Sequence, residues 1–380
     1  MQRIEIGARA DWKERVENLG LDYHSTNGKP YWMDGAYYHF TPAEIELLEG
    51  ATNELWERCL EAVQFVIDRN RFADLQIPEV AIPHIIASWE AEVPSIYGRF
   101  DLAYDGIHAP KMLEFNADTP TALLEAAVVQ WYWLLDRFPR ADQFNSIWDK
   151  LVAKWRELKD GHYLFGDVVH FAHLESTEDL MTVAVLRDTA QEAGIATKGL
   201  HMKQIGWHNI EQHFVDQDNR QMRTLFKLYP WEWMVHEPFG ANLLRTPHKI
   251  QVIEPIWKMV LSNKGILAIL WEMFPDHPYL LKSYIGRSQD LRHYAKKPLL
   301  SREGANVMLK STAGLVRQEG EYGSEGFVFQ ELGPVPNIEG KHPVIGSWIV
   351  TDQGACGIGI RESDGPITDN LSRFVPHVLD

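Results

Sequence analysis

Cysteine is nearly missing from this 380-residue sequence, which contains only Cys59 and Cys356. Because the two lie far apart and no CxxC pair exists, a disulfide framework and a CxxC motif are both excluded. Such low cysteine use is typical of proteins in a reducing compartment, so we expect a cytoplasmic location.

Long apolar runs and positive charge are also scarce. The longest near-candidate for a membrane span, AAVVQWYWLL, is interrupted by Gln130, and the N-terminal segment lacks the apolar core of a signal peptide. We therefore expect no membrane partner. With 37 Lys and Arg against 53 Asp and Glu, the net charge is −16. This balance argues against a nucleic-acid partner, since phosphate contacts need clustered Lys and Arg.

The two familiar phosphate-binding signatures, GxxxxGK[ST] and GxGxxG, do not occur, so a P-loop and a Rossmann fingerprint are excluded. The composition is 45% hydrophobic and 11% aromatic, as in globular proteins. A chain of this length can form two or three domains with substantial cores.

Residues 97–116 predict a hairpin with one acidic face. Two runs suited to strands flank a turn that contains glycine and proline. Antiparallel pairing about the centre of that turn joins Asp101 to Glu114 and Arg99 to Asn116. Because side chains alternate along a strand, all four should project from the same face.

The pairing of Asp101 with Glu114 needs a compensating positive charge. Two carboxylates about 5 Å apart repel by about 3 kcal/mol at an effective dielectric near 20, more than the roughly 0.2 to 1 kcal/mol that a good cross-strand pair contributes. Either Arg99 or a hard cation held by the oxygens of Asp101, Glu114 and Asn116 would supply it. The ligand count suits Mg²⁺ with ATP better than a calcium cage. The alternative is a surface hairpin with a solvated acidic edge.

Thr119 and Pro120 follow the hairpin as an N-cap and a favoured first helical residue, which predicts a helix through Phe138. The free N–H groups of that helix start could receive an anion next to the metal ligands.

Beyond a break at Asp160-Gly161 the pattern changes to strand, helix, strand, which indicates a small α/β domain. Its first strand-to-helix loop carries Glu178 and Asp179. Ligands bind at such loops, so these acids could hold a cationic amine. Alternatively they only cap the helix and favour its dipole.

Two lysines emerge from apolar runs late in the chain, Lys264 in SNKG and Lys297 on a strand that precedes a loop with Gly304. Lysines beside a glycine-bearing loop suit phosphate binding. Glycine then recurs over residues 314–326, a composition typical of a mobile flap over a ligand. A second predicted hairpin places Arg361 near a strand end.

Several ordered motifs, spread over nearly the whole chain, resemble the glutathionylspermidine synthase family, and more closely its stand-alone synthetase-domain homologues, the acid–amine ligases. The motifs are RFD (99–101), LEFNADTPTAL (113–123), FKLYPWEW (226–233), EPIWKMVLSNKGILAILWEMFPDHPYLL (254–281), KKPLLSREGANV (296–307) and GIGIRE (357–362).

The resemblance implies an α+β protein with a permuted, glutathione-synthetase-like ATP-grasp fold and a small α/β substrate domain. Residues 1–162 would form the N-terminal part of the core with the metal-ligand hairpin. Residues 163–252 would form the substrate domain, and residues 253–380 the ATP-binding lid and the C-terminal part of the core.

The same resemblance implies roles for individual residues. Mg²⁺ would be bound by Asp101, Glu114 and Asn116. ATP would be contacted by Lys264, Lys297, Glu303, Gly304, Gln330, Glu331 and Leu332, the last three along the adenine pocket. Arg99 would stabilise the transferring phosphoryl group, and Arg361 would assist at the acyl phosphate or substrate carboxylate. Thr119 would lie near the acid, and Glu178 and Asp179 near the amine.

The implied activity is an ATP- and Mg²⁺-dependent, ADP-forming ligase that joins a peptide or amino-acid carboxylate to an amine through an acyl phosphate. The alternative is a catalytically silent MgATP-binding regulatory protein on the same fold. Two positions depart from the family pattern: Arg373 stands in place of an acid, and Leu228 in place of a threonine. The identities of the acid and the amine stay open.

Overall fold

The computed structural model describes residues 1–26, 28–369 and 371–379, in which helices and sheets form a mixed α+β architecture. The helices are α1 (Trp12–Glu17), α2 (Pro42–Asp68), α3 (Ile82–Glu90), α4 (Gln130–Arg137), α5 (Ile147–Asp160), α6 (Thr177–Glu192), α7 (Trp231–Met234), α8 (Pro238–Arg245), α9 (Met259–Ser262) and α10 (Ile266–Met273). Shorter helical turns are Arg71–Leu75, Met202–Gln204, Ile256–Lys258 and the π-helical Glu125–Val129, which leads into α4. In the part of the chain described, no helix has the length and apolarity that crossing a membrane requires.

The strands fall into six sheets among the described residues. In chain order they are β1 (Gln2–Glu5), β2 (Ser25–Thr26), β3 (Lys29–Pro30), β4 (Ala36–Phe40), β5 (Tyr97–Ala103), β6 (Lys111–Asn116), β7 (Val168–His173), β8 (Ala196–His201), β9 (Gly206–His208), β10 (His213–Val215), β11 (Thr224–Leu228), β12 (Gln251–Ile253), β13 (Ser283–Ile285), β14 (Tyr294–Pro298), β15 (Met308–Ser311), β16 (Gly314–Arg317), β17 (Phe327–Glu331), β18 (His342–Val350), β19 (Gly354–Ser363), β20 (Arg373–Val375) and β21 (His377–Leu379). The smaller sheets are β1-β4-β21, β2-β3 and β9-β10.

The central sheet is antiparallel, with the order β20-β19-β18-β5-β6. Helix α2 packs on β18 and β19, and helix α5 also contacts both strands. The start of α2 is fixed by a capping box between Thr41 and Glu44. Phe100 and Ile345 are buried in one apolar core with Leu55 of α2, so the sheet that carries the hairpin is firmly supported.

The predicted hairpin register is confirmed. Asp101 pairs with Glu114 and Arg99 with Asn116 across β5 and β6. A bulge after Asp101 then shifts the register by one, so that Leu102 faces Met112. Bulges of this kind bend a strand and re-aim its side chains.

The predicted strand–helix–strand unit is also confirmed. Strands β7 and β8 are parallel and joined by α6, within a parallel sheet of order β12-β11-β7-β8. Ser176 caps α6, accepting a hydrogen bond from the Asp179 N–H. The division of the chain into domains stays a prediction.

The helix predicted to begin at Thr119 starts later. Ala122 has a left-handed φ of +64°, and helical structure is found only from Leu123. Carbonyl groups of this segment are taken by the hairpin: the Tyr97 hydroxyl donates to Pro120, and Arg99 to Thr121. Tertiary hydrogen bonds thus replace the predicted cap, so the helix start predicted at Thr119 is wrong, while an anion site near Thr119 stays a prediction.

Candidate active site

A cleft of about 470 Å³ lies between the central sheet, the parallel sheet and the loop after β14. Most of the predicted site residues line it: Arg99, Asp101, Glu114, Asn116, Thr119, Glu178, Asp179, Lys264, Glu303, Gly304 and Arg361. They come from segments up to 262 positions apart in sequence, from Arg99 to Arg361, so the fold brings them together.

The acidic face of the hairpin is balanced from one side by Arg99. Its Nε and Nη2 donate to the two carboxylate oxygens of Asp101 at 2.7 and 3.2 Å. The Asn116 amide lies between the acids, donating to Asp101 at 3.2 Å and to Glu114 at 3.5 Å. Arg99 therefore supplies part of the compensating charge expected from the sequence.

Lys264 supplies a further positive charge beside the acidic face. Its Nζ lies 3.0 Å from Glu114 Oε2 and donates to the Ser301 carbonyl at 2.8 Å. Burial raises the pKa of Glu114, but Lys264, then Lys297 and Arg99, outweigh it and lower that pKa to about 2. Glu114 is thus held as a carboxylate.

A break between α9 and α10 positions Lys264. The buried Asn263 side chain donates to the Leu75 carbonyl at 2.7 Å and accepts from the Gly265 N–H at 2.8 Å. An asparagine that bonds to nearby backbone competes with helix formation. The apolar run therefore divides at this point, and the lysine projects from the break into the cleft.

Lys297 lies behind Glu114 and is 8% exposed. Its Nζ donates to the Leu113 carbonyl at 2.8 Å and to Gln330 Oε1 at 2.7 Å, while Gln330 donates to the Met112 carbonyl. Burial lowers the pKa of Lys297 to about 8, helped by Lys264 and opposed by Glu114. Lys297 and Gln330 thereby attach β14 and β17 to β6.

Glu331 and Leu332 lie outside the cleft. They border a separate shallow depression of about 520 Å³ together with Lys282 and Asp290. Their predicted contact with adenine stays a prediction.

The donor set of the hairpin fits Mg²⁺. Asp101 and Glu114 offer carboxylate oxygens, the ligands that this hard cation prefers. The Asn116 amide donates to both acids in the present orientation, and a half-turn about its last bond would present its carbonyl oxygen instead. By the chemistry of its donor atoms, this set is therefore suited to a divalent ion.

The loop after Ser301 has a backbone suited to an anion. Glu303 and Gly304 have positive φ values of +53° and +70°. A Cβ at Gly304 would lie 2.6 Å from the Thr368 carbonyl, so only glycine fits. Left-handed residues in a turn aim neighbouring N–H groups into one concave surface, which binds anions.

Arg302 is a site residue that sequence reasoning missed. Its guanidinium donates to Thr119 Oγ1 at 2.6 Å and to Glu232 Oε1 at 2.8 Å, and lies 5.7 Å from the Trp233 ring centroid. Nothing in the local pattern SREGAN separates this arginine from a surface residue, because its partners are remote in sequence. Arg302 therefore joins the loop after Ser301 to the part of the cleft wall near Thr119 and Glu232.

The structure confirms that the acidic loop begins a capped helix, and its predicted binding of an amine stays a prediction. Asp179 belongs to the capped first turn of α6, yet Glu178 and Asp179 both face the cleft. Burial, and next the neighbouring charge of Glu178, raise the pKa of Asp179 to about 6. A cation placed here would relieve that repulsion.

Replacing Asp179 by asparagine should remove a pH dependence of stability. The folded-state pKa of about 6 exceeds the ordinary 3.8, so the folded state binds this proton more tightly. The free energy of unfolding of the natural protein therefore falls as pH rises from about 4 to about 6, and the asparagine variant lacks this decline. Urea denaturation across that range measures the difference, with the exposed Asp188→Asn on α6 as control. The same change in the free energy of unfolding with pH in Asp179→Asn and in the natural protein would contradict this prediction.

Arg361 closes the far end of the cleft. One Nη donates to the Asp369 carbonyl at 2.9 Å, and the guanidinium lies 6.0 Å from the Tyr31 ring centroid. The Tyr31 hydroxyl donates to the buried Glu125 at 2.6 Å. Arg373, by contrast, pairs with Asp364 outside the residues that line the cleft.

Known proteins are similar to this chain over most of its length. A family model described as glutathionylspermidine synthase preATP-grasp matches residues 3–380. A candidate acid–amine ligase of Haemophilus influenzae is 40% identical over 397 residues, covering 99% of both chains. Trypanothione synthetase of Crithidia fasciculata is 31% identical over 84% of this chain. The bifunctional glutathionylspermidine synthetase/amidase of Escherichia coli is 27% identical over 90% of it. The chain spans 53% and 59% of those two longer relatives.

Proposed function

The chain belongs to the glutathionylspermidine synthase family, a family of ligases, and from that premise we propose an ATP- and Mg²⁺-dependent carboxylate–amine ligase on a permuted ATP-grasp fold. The acid would be a peptide or amino-acid carboxylate, and the products an amide, ADP and phosphate. One observation carries the proposal: Lys264, from a remote segment of the chain, meets the hairpin residues Arg99, Asp101 and Glu114 in one cleft.

The proposed roles follow from charge. Lys264 and the backbone at Glu303 and Gly304 would bind the phosphates of ATP. Lys297, which does not line the cleft, would help to keep Glu114 charged from behind. Mg²⁺, held by the acidic face of the hairpin, would neutralise charge on the phosphates when bound. Arg99 would lie beside the group in transfer, where a fixed guanidinium stabilises developing charge.

The proposed reaction has two steps. A carboxylate oxygen of the acid attacks the γ-phosphorus, which gives an acyl phosphate and releases ADP. The amine nitrogen then attacks the acyl carbon, the C–O bond to phosphate breaks, and the nitrogen loses a proton. The Asp179 carboxylate, whose pKa is raised to about 6, would accept that proton. Arg361 would offset charge on the leaving phosphate, and closure of the loop that bears Tyr322 would keep water out.

Product analysis tests this proposal. With MgATP and libraries of amines and carboxylates, we expect ADP and phosphate release that needs both substrates and stops when the metal is chelated. Formation of AMP and pyrophosphate would contradict the acyl-phosphate route. Protection by MgATP against heat without turnover in any combination would instead identify a silent nucleotide-binding protein.

A further inference from the structure

A second cavity, of about 400 Å³, lies beside the cleft, and we call it the apolar pocket. Its wall includes Met202, Phe214, Leu225, Met234, Phe239 and Leu243. It lies between the parallel sheet and α8, and neither the hairpin nor the loop after Ser301 contributes to it. The proposed transfer of phosphate does not use it.

Two charged side chains, Lys203 and Glu237, line the apolar pocket, and both residues are exposed. Lys203 donates to Glu175 at 2.7 Å. Glu237 accepts a hydrogen bond from the Tyr229 hydroxyl, which leaves its negative charge in place. The carboxylate therefore belongs to the solvent side of the apolar pocket, and the buried part of the wall offers mainly apolar contact.

Leu174 connects the two cavities, because it lines both of them. It directly follows β7 and comes just before the capped turn with Glu178 and Asp179. The acidic part of the cleft and the apolar pocket are thus neighbours on one strand-to-helix loop. On the cleft side, Leu228 and Trp233 extend the apolar surface toward Leu174.

We propose that the amine substrate of the ligase is a primary amine with an apolar body. Its ammonium would lie at Glu178 and Asp179, and its alkyl or aryl part would pass Leu174 into the apolar pocket. This inference rests on the proposed function. The geometry disfavours a linear polyamine with a second ammonium part-way along its chain, because that ammonium would lose its hydration against the buried apolar wall without reaching the exposed Glu237 carboxylate.

Binding of n-alkylamines of increasing length to the full-length protein tests the inference. Each added methylene that enters the apolar pocket should tighten binding by about fourfold, until the chain exceeds the available length. An amine of equal length with a second amino group part-way along its chain should bind more weakly than the monoamine. Calorimetric titration with the amine alone measures both effects. An affinity that does not change with chain length, or tighter binding of the amine with the internal amino group, would overturn the proposal.

A pair of variants on α8 tests whether the gain in affinity per methylene arises in the apolar pocket. Leu243→Phe enlarges a side chain on the wall of the apolar pocket, and Ala241→Phe adds the same ring at an exposed position of the same helix. We expect Leu243→Phe to reduce the gain per methylene to less than twofold, and Ala241→Phe to leave it at about fourfold. An equal gain in affinity per methylene in both variants would overturn the proposal, even if one variant were less stable.

The ligase assignment and the amine class can fail separately. Dependence of binding on chain length without any ADP release would leave the apolar pocket as an amine site and remove the ligase activity. ADP release with polyamines alone, unaffected by Leu243→Phe, would leave the ligase activity and overturn the amine class.

Discussion

Replacing Glu114 by glutamine is expected to slow amine-dependent ADP release by about 10²- to 10³-fold, the effect of removing one preorganised charge at a reacting centre. Glu114 is both a proposed metal ligand and the carboxylate nearest Lys264, at 3.0 Å. It also opposes the effect of burial on Lys297, so its loss should lower the pKa of that lysine further below about 8. The variant should therefore also require more Mg²⁺ for half-maximal activity.

The control for Glu114→Gln lies on the same hairpin. Asp105 accepts hydrogen bonds from the Ile107 and His108 N–H groups at 2.9 and 2.8 Å, and an asparagine keeps that acceptor. Asp105→Asn should retain full activity, measured as ADP release at several Mg²⁺ concentrations. Unchanged activity in both Glu114→Gln and Asp101→Asn would refute the metal-binding role of the hairpin.

Replacing Glu254 by alanine is expected to lower the free energy of unfolding by about 3 to 5 kcal/mol, because it leaves a buried charge without its partner. Glu254 and Lys258 are both fully buried, with 2.6 Å between Oε2 and Nζ. The same carboxylate accepts from the Ile96 and Tyr97 N–H groups and from the Ser95 hydroxyl. Urea denaturation measures the loss.

A second substitution separates the lost charge partner from the lost backbone contacts. Glu254→Ala with Lys258→Met removes both charges, so the double variant should be more stable than Glu254→Ala alone. Glu272 pairs with Arg71 at the surface, and Glu272→Ala should change stability by less than about 1 kcal/mol. A similarly small loss for Glu254→Ala would contradict the proposed role of the buried pair.

The acidic face of the hairpin was predictable from sequence because it depends on neighbours along the chain. A turn fixes which residues pair, and alternation fixes which face they share, so Asp101, Glu114 and Asn116 could be grouped without coordinates. The strand–helix–strand unit followed from the same kind of local periodicity.

What the sequence did not reveal depends on remote partners. Thr119 reads as a helix cap, yet Tyr97 and Arg99 take the carbonyls of the next residues and Arg302 takes its hydroxyl. The apolar pocket combines side chains from β10, β11, α7, α8 and the turn after β8, and no single window of sequence contains it. Local propensity is a weak prior where tertiary contacts decide.

The pairing of β5 with β18 also sets an order of events during synthesis. Between the last residue of β5, at position 103, and the first of β18, at position 342, the ribosome must add more than two hundred residues. At typical elongation rates of roughly 5 to 20 residues per second, synthesis of β18 begins about 12 to 48 s after β5 is finished. Until then the nascent hairpin exposes an unpaired strand edge, the kind of surface that chaperones shield and that aggregation exploits.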